Sequence, residues 1–176
     1  HARYLIPAMP VIWTVGFWGM RALAKRMATA FAKFSLVRFA WGTLTAGVLL
    51  GFVVLGARSY AEDVAIIETE MVDTAVWIRA NTEVDALIAV PDIGAVGYFG
   101  ERRIVDLAGL VTPELIPFLR DEERLCTYLD DQQVDYLVVF PNWYESLENG
   151  KEVVYRSPGI YAPRAGGENM TVYRWR

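Results

Sequence analysis

The sequence opens HARYLIPAMP, and three of its first four residues, His1, Arg3 and Tyr4, are of types that can hold a phosphate. Arginine presents a planar fork of donors that meets phosphate oxygens two at a time, and histidine and tyrosine add hydrogen bonds around it. The bland alternative is that Arg3 snorkels to lipid headgroups while Tyr4 sits in an aromatic belt. A second place for chemistry is PDIGAVGYFGERRIVDLAGL, residues 91–110, where Asp92 with Gly94, and Asp106 with Gly109, each follow an apolar run. If those runs are parallel strands, ligands gather at their carboxyl ends, and Asp92, Gly94 and Asp106 become candidates to line a polar cleft. The local alternative has Asp92 capping a helix, the glycines permitting tight turns, and Asp106 bonding to nearby backbone.

Other chemistries fit poorly. Gly94, Gly97 and Gly100 are spaced G-x-x-G-x-x-G, not G-x-G-x-x-G, and Asp106 follows too soon to serve as the ribose-binding acid of a dinucleotide fold. One histidine, at position 1, and one cysteine, at position 126, cannot build a His/Cys zinc site or a Ser-His-Asp relay in the rest of the chain. The acidic residues follow no EF-hand pattern. Cys126 lies in a helix-like stretch with no second cysteine to pair with, and is expected to act as a small buried apolar residue. The run Asp121–Arg124, DEER, reads as a solvated helix face.

The elements that must position these residues divide the chain in two. Of its 176 residues 54% are hydrophobic, with a mean hydropathy of +0.24, high for a protein dissolved in water and unevenly spread. Residues 4–20 and 39–57 carry no charge. The second stretch would reach about 28 Å as a helix, close to one hydrocarbon core. The first carries Pro7, Pro10, Trp13 and Trp18, which suits a membrane helix with a broken outer end and an aromatic belt. Two transmembrane helices, about 4–20 and 39–57, are expected. Between them a basic loop over 21–38 holds Arg21, Lys25, Arg26, Lys33 and Arg38 without an acidic residue, the positive-inside signature of a cytoplasmic connection. A secretory signal explains one such apolar segment but not two joined by a basic connector.

Residues 59–176 then lie outside the cytoplasm. They hold 10 basic and all 21 acidic side chains, a balance that argues against nucleic acid or anionic headgroups as partners. Within them AEDVAIIETEMVDTAVWIRANT places Val64, Ile67, Met71, Val72, Ala75 and Ile78 at helical spacing, which predicts an amphipathic helix facing a core. Strands are predicted at Ala86–Val90, around Ile104 and Val105, and at Asp135–Pro141, with a short helix over GAVGYFG and a longer one opened by Thr112 as N-cap and Pro113. EVVYRS and MTVYRW are expected to close the sheet as an antiparallel edge. The fold class expected is therefore two membrane helices followed by a small α/β, Rossmann-like three-layer domain.

Taken together, HARYLIPAMP entering a late membrane helix, a basic connector, a last helix, and an outer α/β domain with PDIGAVGYFG and RRIVDLAGL resemble the C-terminal end of GT-C class membrane glycosyltransferases. These are the polytopic enzymes related to protein O-mannosyltransferases and aminoarabinose transferases, which use polyprenyl-phosphate sugars. The resemblance implies that HARYLIPAMP lies inside a longer multi-pass protein of the cytoplasmic membrane, with residues 59–176 extracytoplasmic and the catalytic carboxylate upstream of this sequence. It further implies that Arg3 and Tyr4, in an R-Y-x-x-P element completed by Pro7, help hold the lipid-linked donor at its phosphate, with His1 beside them. Asp92, Gly94 and Asp106 would then line an acceptor cleft. The partners implied are the bilayer, the polyprenyl-phosphate sugar and the remaining transmembrane helices of the parent, with no nucleic acid; no cofactor is expected in this chain, and a divalent metal in the parent is left open. The rival expectation is a membrane-anchored extracytoplasmic α/β binding or sensor module without catalysis; a non-catalytic subunit of an envelope assembly is a third.

Overall fold

Residues 8–30 and 35–176 are described by the structure, a computed structural model. The chain divides between Ala57 and Arg58 into two compact units. In the first, helix α1 runs Met9–Ala30 with Pro10 in its opening turn, where a missing N–H costs no hydrogen bond. Helix α2 begins at Ser35 and runs to Ile66. The connector expected to be a basic loop over 21–38 is thus helical from 21 to 30 and again from 35, because RALAKRMATA is built almost wholly of good helix formers. Bulky apolar side chains such as Trp18 and Phe52 are about three-quarters exposed along these helices (76% and 74%), the opposite of what water favours. One helix among the described residues, counted through Gly42–Asn81, is long and apolar enough to cross a membrane by length and composition. Core helices of water-soluble proteins can meet that criterion too, but they are mostly buried; none of this helix's apolar window is.

In the second unit the helix passes through a π-turn at Ile67–Val72 before resuming as α3, Asp73–Asn81. The extra residue changes the phase of everything before it. Ile67 and Val64, placed on the inner face by their spacing, are exposed, and Glu70 is fully buried in their stead, while Ala75 and Ile78 remain inside.

The strands arise from short apolar runs bounded by turns. Strands β1 (Leu87–Val90) and β3 (Tyr136–Val139) are buried at every position, as central strands covered on both faces must be. With β2 (Arg103–Asp106), β4 (Glu152–Arg156) and β5 (Thr171–Arg174) they form one five-stranded mixed sheet in the order β2-β1-β3-β5-β4. The β1 pairs with β2 and β3 are parallel, and β5 runs antiparallel to both β3 and β4, with a bulge between Val153 and Tyr155. Alternate residues feed two cores. Ile88 and Val90 pack with Ala75 and Ile78 of α3 and Val96 of α4 (Ile93–Phe99). Leu87 and Ala89 face the other way, onto Leu115, Leu125, Leu129 and Leu147. Helices therefore cover both faces, giving three layers.

The helix expected after Thr112 is split. Pro117 removes an N–H inside the run, so Pro113–Phe118 is a 3-10 turn, and α5 (Glu122–Asp131) starts afresh with Asp121 as its cap, accepting from Arg124 N at 3.1 Å. Thr112 makes no cap; its Oγ1 instead accepts from Asp106 N at 3.1 Å. The DEER run is more than a solvated face, since Glu122 also accepts from Ser146 N at 2.7 Å and ties α5 to α6 (Glu145–Glu148).

Arg102, half-buried, closes the end of α3. Its guanidinium donates to Arg79 O (2.7 Å), Thr82 O (2.9 Å), Thr82 Oγ1 (3.1 Å), Glu101 O (3.2 Å) and Gly100 O (3.4 Å), so a positive charge fills the carbonyl-rich ends of α3 and α4. Arg102→Ala is expected to cost about 2 kcal/mol of unfolding free energy, and Arg102→Lys more than half of that, because an ammonium cannot span both helix ends. Denaturant titration of the three proteins checks this; equal stabilities would refute it.

Candidate functional site

The residues proposed for donor phosphate, His1, Arg3 and Tyr4, and their companion Pro7, lie outside the described residues. The acceptor-cleft candidates lie inside them. Strand register pairs Val90 with Asp106, and Asp92 comes two residues after Val90, so Asp92 and Asp106 stand at the same end of adjacent strands. Each is taken up by its own loop. Asp92 Oδ1 accepts from Gly94 N at 3.2 Å and caps α4. Asp106 is fully buried, and its two carboxylate oxygens accept from Ala108 N (2.8 Å) and Val111 N (2.7 Å), while its carbonyl accepts from Gly109 N at 3.0 Å. Gly109 adopts φ +73°, a left-handed turn that suits glycine, and Ile116 already crowds the space a side chain would need there. Asp106 therefore folds the turn 106–112, with both carboxylate oxygens engaged by its own backbone. Gly94 serves as a backbone donor.

What these braces hold up is apolar. Leu110 is 77% exposed at the tip of the Asp106 turn, with Val111 and Ile116 exposed beside it, and Tyr98 is 77% exposed on α4 behind the Asp92 cap. Rigid loops displaying apolar side chains suit a surface that meets something apolar.

An open groove lies beyond the carboxyl end of β3. Its volume is about 410 Å³, and Ile66, Phe140, Trp143, Ala162, Gly167 and Glu168 are among its walls. Asn142, at φ +68°, turns the chain so that Trp143 N returns to Phe140 O at 3.3 Å, and the two rings lie 5.2 Å apart at 44°. Trp143 keeps 57% of its surface exposed. The opposite wall is the loop between β4 and β5, which includes the short helix α7 (Tyr161–Arg164).

That loop is fastened at both ends by one side chain. The carboxylate of Glu70 accepts from Ser157 Oγ (2.5 Å) at the loop's start, and from Asn169 Nδ2 (3.0 Å) and Met170 N (2.8 Å) at its finish. Ser157 Oγ also reaches Thr69 O at 3.0 Å and accepts from Gly159 N at 3.1 Å, and Asn169 Nδ2 donates to Gly159 O at 2.6 Å. Gly159 packs so closely that a Cβ there would overlap the Glu70 carboxylate. Nearby, Tyr155 stacks on Trp77 with centroids 4.7 Å apart; burial pushes its phenol pKa up, and the Asp73 and Glu70 carboxylates add to the effect, so the ring stays neutral at physiological pH. Sequence reasoning missed Glu70. The apolar spacing around it is that of an ordinary α-helix, and only the π-turn brings it inward.

A second, more polar groove of about 530 Å³ involves Asn142, Glu145, Glu148 and Tyr173. Glu148 is already engaged, accepting from Asn142 N and Tyr144 N, both at 3.0 Å, and from Tyr173 Oη at 3.3 Å. Burial, with the Glu148 charge second to it, raises the Tyr173 pKa, which keeps that hydroxyl a donor. Among the described residues no group of three or more His, Cys, Asp or Glu side chains is placed to hold a metal ion.

No curated protein and no solved structure matches the chain. One protein family does, described as a domain of unknown function, DUF8728, over residues 53–173, which takes in the end of the apolar helix and the whole sheet up to Tyr173 of β5. With more than half of its length matched, the chain belongs to the DUF8728 family.

Proposed function

We propose that this chain is the C-terminal part of an integral membrane glycosyltransferase that moves a sugar from a polyprenyl-phosphate donor to an acceptor outside the cytoplasm. The observation that carries the reading is the conjunction of an uncharged run over 39–57, a connector before it whose charged residues are all basic, and an α/β unit in which the Asp92-capped helix α4 and the loop braced by Asp106 display Tyr98, Leu110 and Val111. Such loops fit a domain seated against membrane or against the helices of a parent enzyme. On this reading α1 and α2 are its last two transmembrane helices and the 59–176 domain is extracytoplasmic. The acceptor is deprotonated by a carboxylate supplied upstream, and Arg3, with Tyr4 and His1, stabilises the departing lipid phosphate. No cofactor is assigned to these residues, and a divalent metal in the parent is left unassigned.

Arg3→Ala in the full-length protein is expected to lower transfer from the lipid-linked donor by about a hundredfold or more, in line with removal of one group that stabilises developing charge. Unchanged turnover would sink the phosphate role. A second reading, an anchored binding module without catalysis, draws on the family match, which is centred on the α/β unit and includes only the end of the apolar helix. The gene upstream of the His1 codon separates them: many apolar segments with an early outer-loop acid favour the transferase, and a start codon there favours the anchor.

A further inference from the structure

We infer that the groove at the carboxyl end of β3 is a saccharide-binding site with Trp143 as its platform. A pyranose ring is two-faced, with C–H bonds clustered on one side and hydroxyls projecting around the rim. The first needs a flat, electron-rich surface and the second needs acceptors nearby. Trp143 offers that surface: it is 57% exposed, and Phe140 backs it at 5.2 Å, which holds the indole in place. Glu168 stands exposed on the groove's lining, and its carboxylate has no hydrogen bond or ion pair with any described residue, so it is available to hydroxyl donors. The remaining wall is small and close to backbone, with Gly167 N bonded to Ala162 O at 2.9 Å and Gly166 at φ +84°. A ring can therefore lie flat without meeting bulk.

Other occupants fit less well. Among the described residues no lysine, arginine or histidine lines the groove, so a phosphate or carboxylate ligand would meet Glu168 with no cation among them to offset it. A wholly apolar ligand would leave the carboxylate facing hydrocarbon. The volume of about 410 Å³ lies in the range of roughly 300–1,000 Å³ usual for small-molecule sites. Glu70 is the positioning residue of this site, because it fixes both ends of the loop that supplies Ala162, Gly167 and Glu168.

The inference deepens the transferase reading, and rests on it in making the bound saccharide the acceptor; the binding itself stands on the groove alone. The test uses the full chain in lipid nanodiscs, since sugar-headed detergents would compete. Saturation-transfer NMR is recorded with the methyl glycosides of glucose, mannose, galactose and N-acetylglucosamine, and with cyclohexanol as an apolar ring carrying one hydroxyl. At least one glycoside is expected to receive transfer at its ring C–H protons, with millimolar affinity. Trp143→Ala should weaken it at least tenfold, Trp143→Phe should retain part of it, and Glu168→Gln should weaken it severalfold, all without a shift in the thermal transition. No transfer to any glycoside, undiminished transfer in Trp143→Ala, or transfer to cyclohexanol alone would overturn the assignment. Should glycosides bind while the full-length protein transfers no sugar from a polyprenyl-phosphate donor, the transferase reading falls and a saccharide-binding module remains. Should Arg3→Ala abolish turnover while no glycoside binds, the groove assignment falls alone.

Discussion

Glu70→Ala is expected to destabilise the Arg58–Arg176 unit by about 4 kcal/mol, near the upper end of what one substitution does. The side chain is fully buried and receives Ser157, Asn169 and the Met170 amide, so its loss leaves donors at both ends of the β4–β5 loop without their acceptor. It also opens a hole against Gly159, whose backbone has been admitted to within contact of the carboxylate. Glu70→Gln preserves shape and one acceptor oxygen, and should cost about half as much. The midpoint of thermal unfolding should fall by about 10 °C or more for the alanine variant. Limited trypsin digestion adds a local readout: Arg164 sits exposed in the loop, and cleavage after it should accelerate in both variants before the sheet melts. Wild-type cleavage rates in Glu70→Ala would show that the carboxylate does not hold the loop.

Asp106→Asn is expected to cost about 2–3 kcal/mol although it changes only one atom's identity. Both carboxylate oxygens accept a backbone N–H, from Ala108 and from Val111, and an amide supplies one oxygen and one NH2. One of the two backbone amides must then face a donor, and either the turn opens or a buried N–H goes unpaired. Amide hydrogen exchange over residues 107–119 should quicken at least tenfold, with β1 and β3 protected as before. A turn as slow to exchange as in the wild type would mean that Gly109 and the Thr112 Oγ1 contact suffice to shape it. The effect bears on the proposed function, because this turn is what carries Leu110 and Val111 on the surface.

The two central strands were legible because Leu87–Val90 and Tyr136–Val139 are short uncharged runs bounded by turns; Arg103–Asp106 falls around the predicted Ile104 and Val105, and the two terminal runs pair antiparallel as expected. Asp92 was legible as a cap, since an aspartate before Ile-Gly at a strand's end has a backbone N–H within reach. Asp106, like Asp92, was open to two interpretations in the sequence, and its burial and its bonds to Ala108 N and Val111 N are features no single sequence reports. Glu70 was illegible for a different reason. The residues that meet it, Ser157 and Asn169, lie far along the chain, and the helix surrounding it has the spacing of a regular α-helix. Pro117 was visible, but its weight was not: near a helix start it is tolerated, yet here it leaves only a 3-10 turn and passes the helix on to Asp121.

The π-turn at Ile67–Val72 bears on how this chain should be compared with its kin. A π-turn holds one residue more than the α-turn it replaces, which rotates the helix before it by about 100° relative to the helix after it. A family member whose helix is regular there would need one residue fewer between Ile66 and Asp73 to keep Ala75 and Ile78 inside. An ungapped alignment through that stretch would then set its inward side chains opposite this chain's outward ones, and Glu70 would look unconserved wherever the gap had been withheld.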